Sequence, residues 1–216
     1  MIRDNIKNIL EELPSGIELE AATKKRSVSQ ILEAIDAGIK IIGENYVQEA
    51  QSKFTVVGKK VRWHLIGHLQ KNKVKAAIKI FDMIETLDSV ELASVLDKEC
   101  ERAGKVMPVL IEVNSAAESS KSGVLPENVE DLAGQILEYK NLKLMGLMTM
   151  GPFVELAEDI RPFFKKTKEI FDKIKQSAAA NIDWKYLSMG MSDTYRIAYQ
   201  EGANIVRVGT AIFGPR

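Results

Sequence analysis

The sequence predicts an α/β fold of the (β/α)8 TIM-type barrel, and three observations lead to it. The 216 residues suffice for one substantial core and would be cramped as two full domains, so 1–216 is predicted to be one domain. Short runs rich in Val, Ile and Leu alternate along the chain with longer segments of helical periodicity. Eight such runs can be counted, the number that closes a parallel barrel. The alternative is a doubly wound open sheet, although no Gly-x-Gly-x-x-Gly turn follows the first run.

Each strand is placed where β-branched and aliphatic residues are concentrated and bounded by turn-forming residues. In chain order the predicted strands are 17–24, 40–45, 61–67, 83–87, 108–114, 142–150, 184–190 and 204–210. Helices are predicted where apolar residues recur every three or four positions, at 28–37, 47–56, 70–80, 89–103, 126–139, 159–180 and 194–201. A further helix at 2–13 is expected to cover the gap that a missing final helix would leave. The irregular segment 115–125 is long for a compact domain, and we expect it to be functional or mobile.

Composition excludes several classes of partner and compartment. Lys and Arg number 30, as do Asp and Glu, so no net field draws the chain to nucleic acid or to anionic lipid. The one cysteine, Cys100, excludes an internal disulfide and has no metal ligands at useful spacing, and no metal site is predicted. The N-terminus lacks the apolar core of a signal peptide and no run is long enough to span a membrane, which predicts a soluble cytoplasmic protein.

Two short turns near the C-terminus resemble a phosphate-binding clamp. Residues 188–192 read Ser-Met-Gly-Met-Ser and 208–210 read Val-Gly-Thr, each at the end of a predicted strand. Small residues let backbone N–H groups approach an anion, hydroxyls add donors, and Ser192 with Asp193 could cap a helix. In a barrel a phosphate commonly binds between the loops after strands seven and eight. Two ordinary turns are the alternative interpretation, which the pairing of the two segments disfavours.

The carboxyl ends of the other strands bring candidate residues to the same face. Lys24 ends the first strand, where burial or a neighbouring cation would favour the neutral amine that condenses with an aldehyde. A solvated lysine is its alternative. Arg207 shares a strand face with Gly209 and either forms a salt bridge inside the barrel, to Glu112 or Glu44, or donates to a ligand.

Two further features carry a weaker signal. His64 lies in the middle of the third strand, where a histidine is usually a satisfied core residue. The basic run 71–75 is typical of a solvated helix face, although it could attract an anion as a second, transient site.

Five motifs spread over the chain resemble those of the pyridoxal phosphate homeostasis proteins, a single-barrel group similar to the N-terminal domain of alanine racemase. The motifs are Gly-Glu-Asn-Tyr-Val-Gln-Glu at 43–49, Trp-His-Leu-Ile-Gly-His-Leu-Gln-Lys-Asn-Lys at 63–73, Leu-Met-Gly-Leu-Met-Thr-Met at 144–150, Leu-Ser-Met-Gly-Met-Ser at 187–192, and Val-Arg-Val-Gly-Thr-Ala-Ile-Phe-Gly at 206–214. The resemblance runs almost from end to end. It implies an alanine-racemase-like barrel (fold type III) without the C-terminal β-domain.

The resemblance also implies a cofactor and the residues that hold it. Lys24 would carry pyridoxal 5′-phosphate covalently as a Schiff base, and Arg207 would donate to the pyridine nitrogen. The remaining candidate cofactor-binding residues are Asn45 near the ring, His64 from strand three, and, around the phosphate, Ser188, Met189, Gly190, Ser192, Gly209 and Thr210. Residues 22–27 depart from the family pattern and add Lys25 as a neighbour. Strand alternation is expected to turn Lys25 away from the face of Lys24.

The function implied is that of a carrier without dedicated catalytic activity. An arginine at the pyridine nitrogen leaves that nitrogen unprotonated, which weakens the cofactor as an electron sink. The protein would hold the cofactor and buffer it or deliver it to apo-enzymes or free amino acids, as a monomer that binds no nucleic acid or membrane. One alternative is a weak racemase or aminotransferase, with Tyr46, Tyr195 or His64 as second base. Another is a barrel for a different phosphorylated metabolite, with Lys24 as a counter-charge.

Overall fold

Eight parallel strands form a closed barrel in the computed structural model, which describes residues 1–119, 121–177 and 183–215. Each strand pairs with its neighbours in chain order, and the last strand pairs with the first, where Glu20 lies opposite Arg207. The strands are β1 (Glu18–Ala22), β2 (Ile41–Glu44), β3 (Arg62–Leu65), β4 (Met83–Leu87), β5 (Met107–Glu112), β6 (Leu142–Met148), β7 (Tyr186–Ser188) and β8 (Ile205–Val208). The predicted barrel is therefore confirmed, with shorter strands than the sequence indicated.

Helices follow the strands on the outside of the barrel. They are α1 (Ile2–Glu12), α2 (Val28–Asp36), α3 (Val47–Val57), α4 (Val74–Ala77), α5 (Val90–Ala103), α6 (Val129–Ile136), α7 (Arg161–Ser177), α8 (Tyr195–Gln200) and α9 (Thr210–Phe213). Within the described residues, no helix is long and apolar enough to cross a membrane.

Two predicted helices differ from those in the structure, and one helix was not predicted. The segment predicted as a helix over 70–80 is a 3-10 turn at Lys71–Lys73 followed by the single turn of α4. The helix predicted over 159–180 begins as α-helix at Arg161, and its last positions, 178–180, lie outside the described residues. Helix α9 was not predicted, because four residues are too few to show helical periodicity.

Helix α1 closes the outer layer where the first and last units of the barrel meet. Its buried face, Ile2, Ile6 and Ile9, packs into the main core. The Asn5 side chain donates a hydrogen bond to the carbonyl of Ile212 in α9 over 2.9 Å. The predicted covering role of this N-terminal helix is confirmed.

The barrel has two separate cores because its strand residues alternate in direction. One set faces the helices, as Leu19 and Ala21 do on β1, and belongs to the large apolar core. The opposite set fills the barrel interior, where Met83, Leu110 and Ile205 pack together. The interior also holds charged groups, and one of them, the Glu20 carboxylate, fits only because Gly43 on β2 has no side chain. A Cβ atom at that glycine would lie 2.0 Å from Glu20 Oε1.

Candidate functional site

Lys24 lies in a tight turn immediately after β1, at the carboxyl end of the barrel. The turn is fixed on one flank by Thr23, whose hydroxyl donates to Glu44 Oε1 over 2.6 Å. It is fixed on the other by the backbone N–H of Lys25, which donates to Glu49 Oε1 over 2.5 Å. Lys25 itself is exposed and has a φ of 60°, so both lysines lie in a turn beyond β1, where the strand alternation assumed for them does not apply.

A buried lysine on α3 supports this turn from behind. The ammonium of Lys53 donates to the carbonyl of Thr23 over 2.7 Å and pairs with Glu44 and Glu49 over 2.6 and 2.7 Å. Burial raises the pKa of Glu44, and the hydrogen bonds from Lys53 and Thr23 oppose that rise. Sequence analysis missed Lys53, although it follows Val47 and Ala50 at the three-residue spacing of the buried helix face.

Arg26 links the Lys24 turn to the segment that follows α9. Its guanidinium donates to the carbonyls of Gly214 and Pro215, and it lies over the ring of Phe213 with 5.4 Å to the ring centroid. The predicted clamp segment 208–210 is continuous with α9. The lysine turn and the clamp are therefore parts of one connected structure.

The two turns of the predicted clamp are joined by Ser192. Its hydroxyl oxygen accepts hydrogen bonds from the backbone N–H groups of Gly209 and Ala211, both at 3.2 Å. The predicted cap of the following helix by Ser192 and Asp193 is wrong, because α8 begins only at Tyr195 and Thr194 occupies the N-cap. Thr210 is exposed at the start of α9, and Gly209 lies close to Ala22, with 3.5 Å from a built Cβ to that residue.

Met189 and Ser188 belong to the barrel wall and interior. The backbone N–H of Met189 donates to the carbonyl of Ile205 over 3.1 Å, and its side chain is buried. The hydroxyl of Ser188 donates to Glu85 Oε2 over 2.6 Å. The structure therefore uses these two groups internally and does not present them at the mouth. Gly190 has a φ of 91°, which favours glycine at this bend.

Arg207 lies buried beneath the clamp and is held by two oxygen acceptors and by the sulfur of Met150, at 3.6 Å. One terminal nitrogen donates to Ser188 Oγ over 2.6 Å, and the other donates to the carbonyl of Thr149 over 2.7 Å. Neither predicted salt bridge forms: Glu44 pairs with Lys53, and Glu112 acts on Arg207 only through its charge. The guanidinium is thus fixed in orientation by neutral acceptors.

His64 is buried in the barrel interior between two carboxylates. Its Nδ1 lies 2.7 Å from Glu85 Oε1 and 3.1 Å from Glu20 Oε2. Burial alone would lower the pKa of His64, but these hydrogen bonds outweigh it and raise the pKa. Burial and the charge of Glu85 raise the pKa of Glu20, whereas His64 and Arg207 hold the pKa of Glu85 below its usual range despite burial.

A continuous chain of hydrogen bonds therefore crosses the barrel from Glu20 to Arg207. We call this chain the interior network; its members are Glu20, His64, Glu85, Ser188 and Arg207. His64 belongs to the network and not to the mouth, as its alternative interpretation as a satisfied core residue indicated.

A cavity of about 340 Å³ opens beside the clamp, at the ends of β2, β3, β5 and β6. Asn45 contributes to its wall, and within the described residues Asn45 Oδ1 is buried without a hydrogen-bond donor. Met191 from the clamp also lines it. Glu112 faces the cavity from the end of β5, and the segment predicted to be functional or mobile contributes Ser115, Ala116 and Lys121.

The basic run 71–75 has one member beside the mouth. Lys73 lines a second cavity of about 410 Å³, which shares Asn45, Gly67 and His68 with the first. Lys71 and Lys75 are exposed. A second anion site here stays a prediction.

A barrel with this lysine turn and clamp is of the alanine racemase N-terminal domain class. The family profile described as "Alanine racemase, N-terminal domain" matches residues 1–216. Among solved structures, alanine racemase from Clostridium difficile 630 superposes with a TM-score of 0.81 at 18% identity, covering 100% of this chain and 59% of that one, which shows the shared fold.

Closer relatives define the family. A protein named "Pyridoxal phosphate homeostasis protein" from Aquifex aeolicus is 41% identical over 99% of this chain and 97% of its own. Its namesake from Schizosaccharomyces pombe is 34% identical over 99% of this chain and 91% of its own. The structure of PipY from Synechococcus elongatus, with PLP bound to that protein, has a TM-score of 0.91 and 30% identity, covering 99% of this chain and 100% of PipY. The chain belongs to the family of pyridoxal phosphate homeostasis proteins.

Proposed function

We propose that this protein binds pyridoxal 5′-phosphate as a Schiff base on Lys24 and buffers or delivers it within the cell. The observation that carries the proposal is the joining of the two clamp turns by Ser192, beside the braced turn that bears Lys24. The names of its relatives and the PLP-bound structure of PipY support the choice of cofactor. The proposal takes residues 1–216 as one barrel domain acting as a cytoplasmic monomer.

The residues at the mouth fit the parts of this cofactor. The cofactor supplies an aldehyde that an amine can hold as an imine, and the Lys24 amine is the group proposed to hold it. Ser192, Gly209, Thr210 and Gly190 would hold the phosphate, because hydroxyls and turn N–H groups are its usual donors. Asn45 Oδ1, which has no donor in the described part of the chain, offers an acceptor to a hydroxyl or N–H at the ring. Ser188, Met189 and His64 would support the site from behind.

Arg207 argues for holding the cofactor more than for chemistry on it. A guanidinium does not give up its proton in proteins, so it can donate a hydrogen bond to the ring nitrogen without protonating it. Its two bonds to Ser188 and Thr149 fix it in place. We therefore propose that no dedicated turnover accompanies binding.

The weak-enzyme alternative needs a second base at the mouth, and two of its three candidates are engaged elsewhere. The Tyr195 hydroxyl donates to Glu12 on α1 over 2.9 Å, and burial with that bond raises the pKa of Tyr195 to about 12. His64 is held in the interior network. Tyr46, with 59% of its surface exposed, is the one left near the cavities.

Borohydride reduction followed by peptide mass mapping tests the attachment. The protein, incubated with pyridoxal 5′-phosphate and reduced, should carry a pyridoxyl group on Lys24. Lys24→Ala should lose the group, and the matched control Lys25→Ala should keep it. A label on Lys25, or none on either lysine, would contradict the proposal.

Two further assays separate the carrier from its alternatives. Incubation with single amino-acid enantiomers in deuterated water should show no rapid exchange at the α-carbon, and rapid exchange would favour the enzyme. Mixing the loaded protein with an apo-enzyme should activate that enzyme differently from free cofactor. Identical activation would contradict a delivery role.

A further inference from the structure

The cavity beside the clamp is lined by the carboxylate of Glu112, which forms no hydrogen bond or ion pair with any residue that the structure describes. Glu112 has 8% of its surface exposed, and no hydrogen-bond donor in the described part of the chain reaches its side chain. The backbone leaves little freedom around it, because Gly123 packs so closely that a built Cβ would lie 3.2 Å from Glu112 Cγ. Its carboxylate opens on the cavity and is largely shielded from bulk solvent, and a cation bound in the cavity would offset that partial desolvation.

A second unsatisfied acceptor lies in the same cavity. Asn45 Oδ1 is buried and has no donor within the described residues. Asn45 Oδ1 and the ionised carboxylate of Glu112 accept hydrogen bonds and cannot donate them. The cavity therefore favours a ligand that donates several hydrogen bonds and carries a positive charge.

The remaining wall indicates which kind of cation fits. Ile66, Val113, Met150 and Phe153 give the cavity apolar surfaces. A metal ion prefers a shell of oxygen ligands, whereas apolar walls suit the carbon skeleton of an organic cation. An ammonium group attached to a small carbon chain matches both parts of the cavity.

We propose that this cavity binds the ammonium group of a small primary amine or amino acid, which Glu112 deprotonates so that the amine can replace Lys24 as the cofactor's partner. The inference rests on the proposed function, since it names the amines that take the cofactor away. Glu112 would touch the ligand directly, and Asn45 would orient the same nitrogen.

The proton transfer balances without any other reactant. The ammonium R-NH3⁺ gives one proton to an oxygen of the Glu112 carboxylate, which becomes a neutral carboxyl group, and leaves R-NH2. Only the free amine has the lone pair needed to form a bond to the carbon that Lys24 would hold as an imine. The new C=N linkage to the amine would replace the one to Lys24, and the two hydrogens lost by the incoming nitrogen would pass to the Lys24 nitrogen, which would leave as a neutral amine. Glu112 returns the proton to water when the ligand has left.

The charges around Glu112 suit such a base. Burial and the nearby Asp88 raise the pKa of Glu112 to about 7, and Arg207 acts in the opposite direction. The other titratable groups of the cavity are His68 and Lys121; Lys121 donates to Glu118 and to the carbonyl of Gly151. Glu112 would thus accept a proton near neutral pH and release it again.

The first test measures binding without any covalent chemistry. The full chain with Lys24→Ala is titrated with propylammonium, and the backbone amide NMR shifts of Val113 and Gly123 are followed. We expect saturable shifts, no response to propionate, and at least tenfold weaker binding when Glu112→Gln is added. Glu127 is an exposed glutamate just after the segment 115–125, and the control Glu127→Gln should bind propylammonium as tightly as before. No saturation, or equal affinity with Glu112→Gln, would overturn the inference.

The second test uses the loaded full chain. The rate at which propylamine removes the borohydride-fixable group from Lys24 is measured from pH 5.5 to 8.5. We expect Glu112→Gln to be about tenfold slower and to lack an inflection near pH 7, and Glu112→Asp to restore part of the rate. Equal rates and equal pH profiles for Glu112→Gln and the unmodified protein would overturn this inference and leave the proposed function untouched. Absence of any group on Lys24 in the unmodified protein would contradict the proposed function, whereas the NMR result is independent of it.

Discussion

The two sides of the barrel mouth are built on opposite principles. On the side formed by β7, β8 and β1, the groups of the lysine turn and of the clamp are paired: Ser192 accepts from two N–H groups, Thr23 donates to Glu44, and Arg207 donates to Ser188 and Thr149. On the side formed by β2 to β6, Glu112 and Asn45 Oδ1 have no donors within the described residues.

The clamp side is therefore preorganised for its ligand, whereas the cavity side still has acceptors that a ligand could satisfy. Paired groups hold their geometry before a ligand arrives, so binding costs little reorganisation. Unpaired buried acceptors destabilise the empty cavity, and a ligand that satisfies them gains that energy. The clamp side thus suits a resident group and the cavity side a visiting one. Substitutions on the two sides should differ in sign as well as in size.

The largest effect is expected where the clamp side is supported from below. Glu85 accepts from His64 and from Ser188, so Glu85→Gln should lower the free energy of unfolding by about 3–5 kcal/mol, because it breaks a buried charged network. Glu20 lies farther from His64, at 3.1 Å, and one of its oxygens has no partner among the described residues, so Glu20→Gln should cost less than about 1 kcal/mol. Denaturant unfolding of both variants checks this, and equal losses would contradict the asymmetry.

The next effect concerns the turn that bears Lys24. Lys53→Met removes an ammonium that donates to Thr23, Glu44 and Glu49, and should cost about 2–3 kcal/mol in unfolding free energy. It should also slow borohydride-fixable labelling of Lys24, while propylammonium binding in the cavity is unchanged. The exposed Lys98→Met on α5 is the control. Weaker binding in the cavity would show that the two sides are not separate.

A smaller loss is expected from the link between the clamp turns. Ser192→Ala leaves the N–H groups of Gly209 and Ala211 without their acceptor and should cost about 1 kcal/mol of stability. Retention of pyridoxal 5′-phosphate on dialysis should fall about tenfold, equivalent to about 1.4 kcal/mol. Ser192→Thr keeps the hydroxyl and should retain most of the affinity. Unchanged retention in Ser192→Ala would place the phosphate elsewhere.

The smallest change should have the opposite sign. The pKa of Glu112 rises from its ordinary 4.5 to about 7 in the folded protein, so the native state holds a proton that the unfolded chain has released. Stability should therefore fall as the pH rises from about 4.5 to about 7 and stay lower above it. Glu112→Gln removes this penalty and should be about 1 kcal/mol more stable than the unmodified protein at pH 8, with no gain at pH 4. Thermal unfolding at both pH values checks this. A loss of stability in Glu112→Gln at pH 8 would contradict the prediction.

The sequence predicted the barrel because its strands are local features. Each strand can be recognised from its own β-branched residues, and the alternation of strands with helices is compatible with few fold topologies. The strand ends were predicted too long because residues such as Lys24 continue the composition of a strand while their backbone turns away. The loops after β7 and β8 were correctly paired because parallel strands bring their carboxyl ends together.

Most of what could not be predicted depends on contacts between distant elements. Ser188 and Glu85 are 103 positions apart, and only the closed barrel makes them hydrogen-bonding partners. Arg26 lies only two positions after Lys24, yet it donates a hydrogen bond to the carbonyl of Gly214, 188 positions further on. Glu112 was considered only as a partner for Arg207. Its role depends on the absence of a nearby donor in the described structure, which no sequence pattern reports.

The interior network has a consequence for how the barrel assembles. Its members come from β1, β3, β4, β7 and β8, so the complete network cannot form in a fragment that lacks either the first or the last units, and its Glu85–Ser188 bond spans 103 positions. Contacts of such large sequence separation are made late in folding, after the loops between them have closed. Weakening them should then speed unfolding far more than it slows folding. We therefore expect the interior network to slow the unfolding of the closed barrel, in which the first and last units are held together.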